Sequence, residues 1–119
     1  MNIAVRFPGK SIPREVVEAL ARSINLGIEI CDQDKMRLYA FKQSLVSLEE
    51  GKRLADRLCL LLSESYELFP EFWIREDPDT KFIAVVDYAI HLEQLIRVRR
   101  RTGSYGPDML YSHGKAVGP

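Results

Sequence analysis

The sequence predicts an α+β domain in which a small antiparallel sheet packs against a long antiparallel hairpin of two helices. Three observations support this fold class. The first segment of the chain alternates apolar and polar residues, as strands do, whereas two later segments repeat apolar residues at helical spacing. The composition of the 119 residues, 46% hydrophobic and 29% charged, is typical of a single globular domain. An all-helical bundle is the alternative, because residues 28–41 fit both the two-residue period of a strand and the 3.6-residue period of a helix.

The N-terminal part of the chain is predicted to form a strand followed by a helix. Residues 2–7 alternate apolar and polar side chains, which predicts a short strand with one buried face. Ser11 is a suitable N-cap for a helix that accommodates Pro13 in its first turn. Gly27 is expected to end this helix.

Residues 28–41 are the segment that fits either period. With a period of two they form a hairpin whose turn lies at residues 32–34, and with a period of 3.6 they form a helix capped by Asp32. We favour the hairpin, because Met36, Leu38 and Ala40 alternate with polar or larger side chains.

Two long helices are predicted in the second half of the chain. Ser47 and Glu50 form the SxxE capping box that opens the first of them. The second is expected to run from Asp77, a good N-cap, to Gly103, which is suited to a helix C-terminus. Its first half is apolar over most of its circumference, so we expect it to be the central element of the domain.

Apolar residues beyond those needed for one core predict an interaction surface. Leu60 falls on the charged side of the first long helix, and Ile83 and Ile90 form a second apolar stripe on the other. Phe72 and Trp73 lie in the linker between the helices, which is too apolar for a solvated loop. We therefore predict a small non-enzymatic protein-interaction module, a homodimer that also engages another protein through these five residues.

The arginine run near the end of the last predicted helix supports a different function. It comprises Arg97, Arg99, Arg100 and Arg101. Such a cluster can contact nucleic-acid phosphates or an acidic protein, so a nucleic-acid-binding accessory protein is the alternative. Cations at a helix C-terminus also interact favourably with the helix dipole, and no nucleic-acid-binding motif accompanies them. The formal net charge of zero argues against binding by bulk charge.

An enzyme is the third and weakest hypothesis. Glu93 interrupts an apolar stripe and His91 follows Asp87 by four residues, a spacing at which two side chains can reach one metal ion. No third ligand is visible, so we predict neither a metal nor a cofactor. Cys31 and Cys59 have no basic neighbour and are expected to be core residues. The motifs of nucleotide-binding loops, serine hydrolases and zinc proteases are absent.

The expected compartment follows from the cysteines and the hydropathy. Two isolated cysteines suit a reducing environment. The N-terminal residues contain no signal-peptide core, and no stretch is apolar enough to span a membrane. We predict a cytoplasmic protein with no membrane partner.

The domain is expected to comprise residues 1–103, with residues 104–119 as a flexible tail. The tail is rich in glycine and has no periodic apolar face. Truncation after Gly103 should therefore leave the thermal midpoint within a few degrees of that of the full chain, as measured by circular dichroism. A larger loss would mean that Met109, Leu110 and Tyr111 dock against the domain.

Overall fold

The computed structural model describes residues 1–9, 12–45, 47–86 and 88–102, which form five strands and three helices. In chain order the elements are β1 (Asn2–Arg6), α1 (Arg14–Ser23), β2 (Ile28–Gln33), β3 (Met36–Phe41), α2 (Leu48–Leu62), β4 (Glu71–Arg75), β5 (Ile83–Val85) and α3 (Tyr88–Thr102).

The strands form one antiparallel sheet in the order β2-β3-β1-β4-β5. The first six elements follow the βαββαβ order of the split βαβ arrangement, in which β1 lies between two later strands. β5 adds a fifth strand beside β4, and α3 follows it. The α+β prediction is therefore confirmed, and the all-helical alternative is wrong.

The predicted hairpin over residues 28–41 is confirmed, with a tighter turn than expected. β2 extends to Gln33, which pairs with Met36. Asp34 and Lys35 between them have φ angles of 49° and 66°. A two-residue turn with positive φ at both positions matches the right-handed twist of the flanking strands, so the strands pair up to the turn.

The predicted helix from Asp77 to Gly103, and with it the two-helix hairpin, is wrong. The helix begins at Tyr88, and β4 and β5 separate α2 from α3 along the chain. Asp77 instead caps a turn, since its Oδ1 accepts a hydrogen bond of 2.9 Å from the main-chain N–H of Asp79. Residues 83–85 pair with β4, because β-branched side chains suit a pleated sheet and main-chain pairing outweighs the helical pattern.

The ends of α1 and α2 partly match the sequence prediction. Ser47 accepts the expected hydrogen bond from the N–H of Glu50, at 3.2 Å. Pro13 precedes α1 without a side-chain cap, and Ser11 lies outside the described residues. Gly27 does not end α1; Asn25 takes the left-handed conformation there, with φ of 58°.

All three helices contribute to a core on one face of the sheet. β1 contributes Ile3 and Val5, which have no exposed surface and alternate with residues of the opposite face. α2 approaches β1 closely at Gly51, where an ideal Cβ atom would clash with Cδ1 of Ile3. The helix buries both Asp56 and Leu60, although Leu60 was predicted to lie on its charged side, because α3 covers that side.

The opposite face of the sheet carries a smaller cluster built around Phe82. Its ring is buried with Ala4, Leu38 and Ala40. The main chain of Phe82 forms two hydrogen bonds with the Gln33 side chain, of 2.7 Å from N–H to Oε1 and 3.0 Å from Nε2 to the carbonyl. Lys81 pairs with Asp34 beside them.

These contacts join opposite edges of the sheet. Gln33 ends β2 on one edge, and Phe82 precedes β5 on the other. The sheet must therefore curl so that its two diagonal corners meet over the Phe82 ring, as a strongly twisted sheet does.

The close approach at Gly51 leads to a prediction. Gly51→Ala should destabilise the protein by about 1–3 kcal/mol through overpacking, although alanine normally favours a helix by about 1 kcal/mol over glycine. Ile3→Val removes the Cδ1 atom that a Cβ at position 51 would meet. In a double-mutant cycle measured by chemical denaturation, Gly51→Ala should cost less in the Ile3→Val background. Equal costs in both backgrounds would contradict the close packing.

Candidate functional site

Three apolar side chains are exposed where the chain passes from β5 into α3. Ile83 is 69% exposed, Val86 80% and Ile90 56%. The three residues lie within eight consecutive positions of the chain, and we call them the junction surface. Ile83 and Ile90 were predicted as partner-binding residues from the second apolar stripe. Val86 was missed, because the helical pattern placed it on the buried stripe.

The other predicted partner-binding residues lie elsewhere. Leu60 and Phe72 have no exposed surface and belong to the core. Trp73 is partly buried on the Phe82 face of the sheet, where its indole N–H donates to Oε1 of Glu71 at 3.1 Å. The junction surface therefore excludes these three side chains.

An apolar groove runs along α3 next to the junction surface. It has a volume of about 280 Å³, and the segment that follows α2 forms its other wall. The main apolar residues that line it are Tyr66, Leu68, Phe69, Ile90 and Ile96. Glu93 lies in its wall and pairs with Arg97 at 2.6 Å. This is the ion-paired role that an edge glutamate commonly has.

The arginine run does not form one exposed cationic cluster. Arg99 donates a hydrogen bond of 3.0 Å to the carbonyl of Leu60 and pairs with Glu64. It thereby satisfies a carbonyl group near the C-terminal end of α2. Arg97 pairs with Glu93, Arg100 lines the groove and Arg101 is exposed. Two of the four arginines predicted to contact phosphates are thus paired within the protein, which weakens the nucleic-acid hypothesis.

A buried polar cluster joins α2 to α3. Asp56 has no exposed surface, and its Oδ1 accepts a hydrogen bond of 2.7 Å from the Tyr88 hydroxyl. Nε2 of His91 lies 3.1 Å from Oδ2 of Asp56. The Tyr88 ring also stacks on Phe72, with centroids 5.0 Å apart. A buried carboxylate needs such donors, so the cluster holds α3 in one rotational setting against α2.

The residues proposed for an enzyme are not brought together. His91 faces Asp56 in α2, whereas Glu93 lies in the groove wall. Asp87, the suggested second metal ligand, lies outside the described residues. The burial of Asp56 was not foreseen, since it depends on the packing of α3.

The two cysteines are free, and Cys59 is part of the core. Burial raises the pKa of the Cys59 thiol, the nearby Asp56 carboxylate raises it further, and a hydrogen bond with Tyr88 opposes this shift. The thiol therefore stays protonated at physiological pH and is a poor nucleophile.

The Asp56 cluster leads to a second prediction. Tyr88→Phe deletes the hydroxyl donor and leaves the buried carboxylate with one partner fewer, so it should lower the free energy of unfolding by about 1.5–3 kcal/mol. Tyr66→Phe is the matched control, because the described residues give the Tyr66 hydroxyl no hydrogen bond. Urea denaturation measures both, and equal losses would show that the Asp56 bond contributes nothing specific.

Comparison of this chain with protein-family models, with curated proteins and with solved structures gave no match. Among the helices of the described residues, none is long and apolar enough to cross a membrane.

Proposed function

We propose that this protein is a small non-enzymatic protein-interaction module that forms a homodimer through the junction surface. The observation that carries the proposal is the exposure of Ile83, Val86 and Ile90, each more than half accessible in the single chain. Large exposed apolar patches mark protein interfaces more often than they occur on isolated monomers. The groove beside Ile90 extends the same apolar surface along α3.

The position of β5 strengthens the proposal. β5 is the last strand of the sheet, and its three residues are isoleucine, alanine and valine. Edge strands in monomers are usually protected by short length, charged side chains, proline or a bulge. β5 is short, but it carries neither a charged side chain nor a proline, and within the described residues no strand pairs with its outer side.

The expected affinity follows from the size of the surface. Full burial of an isoleucine or valine side chain contributes roughly 1.5–3 kcal/mol, so six partly exposed ones in a symmetric pair contribute on the order of 6–12 kcal/mol. Association itself costs about 4–15 kcal/mol. The two ranges overlap, so these six side chains roughly offset the cost of association. A micromolar dimer needs a net gain of about 8 kcal/mol, so it also requires burial of the groove.

Light scattering coupled to size-exclusion chromatography tests this proposal. The wild-type chain at tens of micromolar should have the mass of a dimer. Ile83→Asp combined with Ile90→Asp should have the mass of a monomer with an unchanged circular dichroism spectrum, because both side chains are exposed. A charge at each position would be desolvated in the dimer without a partner.

The matched control places two aspartates at the opposite edge of the sheet. Ser23→Asp with Asn25→Asp changes exposed positions beside the start of β2, the opposite edge strand. Asparagine and aspartate both tolerate the left-handed conformation of residue 25. This control should remain a dimer. A wild-type monomer, or a dimer that survives the double change at Ile83 and Ile90, would contradict the proposal.

A further inference from the structure

We infer that two copies of the chain pair through the main chain of Ala84, so that β5 strands meet antiparallel across a two-fold axis. The inference rests on the proposed homodimer and specifies how its two sheets join. It follows from the direction of the main-chain groups in β5, from the contact that closes one end of this strand, and from the area that a stable dimer requires.

The hydrogen bonds of Phe82 reveal which groups of β5 face outward. Both main-chain groups of Phe82 bond Gln33 and not β4. Successive residues of a strand direct their main-chain groups to alternate sides. Ile83 and Val85 therefore bond their β4 partners Ile74 and Phe72.

Ala84, between Ile83 and Val85, directs its N–H and carbonyl away from the sheet. Its side chain is the smallest in the strand, and the residue is exposed. Ala84 itself therefore places no bulky or charged side chain at this edge.

Gln33 limits how far such pairing can extend. Before Ala84, the next residue whose main-chain groups face outward is Phe82. Its N–H and its carbonyl are already bonded to the Gln33 side chain. In an antiparallel pair centred on Ala84, Phe82 would stand opposite Val86 of the second copy. The pairing is thus confined to the two hydrogen bonds that the Ala84 residues exchange.

The central position of Ala84 makes the pairing self-complementary. When a two-fold axis relates two antiparallel strands at Ala84, the residue before Ala84 in one copy lies opposite the residue after Ala84 in the other. Ile83 of one copy then lies opposite Val85 of the other, which gives two apolar cross-strand pairs.

The area requirement favours a second copy over an added peptide. A stable interface covers about 800 Å² on each partner, which a single three-residue edge strand does not supply. An extended peptide would gain only the Ala84 hydrogen bonds and the neighbouring side chains. A second copy also brings Val86, Ile90 and its own α3 to the interface, so both the strand edge and the helix face are covered.

Amide hydrogen exchange followed by NMR tests the pairing directly. The wild-type chain is measured at concentrations tenfold above and tenfold below the dimer dissociation constant obtained by light scattering. The Ala84 amide should exchange roughly fourfold more slowly at the higher concentration, in proportion to the fraction of monomer. The amides of Ile83 and Val85 bond β4 in either state, so their exchange should not depend on concentration.

A variant provides the second measurement. Ala84→Pro removes the outward N–H, and an edge strand tolerates proline where the N–H faces solvent. We expect an unchanged circular dichroism spectrum and a dissociation constant at least tenfold higher, whereas Ala84→Ser, which keeps the amide, should stay within a few-fold of wild type. Should Ala84→Pro fail to fold, the exchange measurement on the wild-type chain decides.

The outcomes separate this inference from the proposal on which it rests. A wild-type dimer whose Ala84 exchange is independent of concentration overturns the strand pairing and leaves the homodimer standing. Binding of an extended peptide by a chain that remains monomeric overturns both, as does a wild-type monomer without any partner. Concentration-dependent protection confined to Ala84 supports both.

Discussion

The buried carboxylate of Asp56 determines which side of α3 faces solvent. Tyr88 and His91 both bond it from the first turn of α3. Ile90 lies between them in sequence but on a different side of the helix, since successive residues are about 100° apart. A rotation of α3 that buried Ile90 would break both hydrogen bonds to a buried carboxylate, which is costly in a protein interior. The exposed apolar surface is thus linked to the most polar contact of the core.

A second constraint operates at the far corner of the sheet. The side chain of Gln33 occupies both main-chain groups of Phe82, and Lys81 pairs with Asp34 next to it. The guanidinium of Arg75 lies 4.3 Å from the centroid of the Phe82 ring. These contacts hold the connection between β4 and β5 against the sheet. They also leave Ala84 as the one residue of β5 whose main-chain groups can pair with another strand. So short an edge disfavours the extended strand pairing that leads to aggregation.

The arginines of α3 illustrate how one pattern supports different roles. Arg99 bonds the carbonyl of Leu60 and the carboxylate of Glu64, and Arg97 pairs with Glu93. Cations in the last turn also interact favourably with the helix dipole. The run therefore contributes to the attachment and solubility of α3, and a phosphate ligand of Arg97 or Arg99 would have to compete with a carboxylate already in place.

The sequence by itself determined the local elements whose signals lie within a few residues. The SxxE pattern placed the start of α2 at Ser47, and alternation over residues 28–41 favoured the β2–β3 hairpin. It also indicated Ile83 and Ile90 as exposed apolar positions, although for the wrong reason, since Ile83 lies in a strand. The mixed fold class followed from these local periods.

Only the tertiary structure decided the rest. Residues 71–75 and 83–85 became strands because β1 and β4 offer them main-chain partners, and such long-range pairing leaves no periodic signal in so short a segment. Leu60 and Asp56 are buried because α3 packs over the side of α2 that the helical wheel assigned to solvent. The outward direction of Ala84 follows from the pairing of Ile83 and Val85 with β4, which no spacing in the sequence reveals.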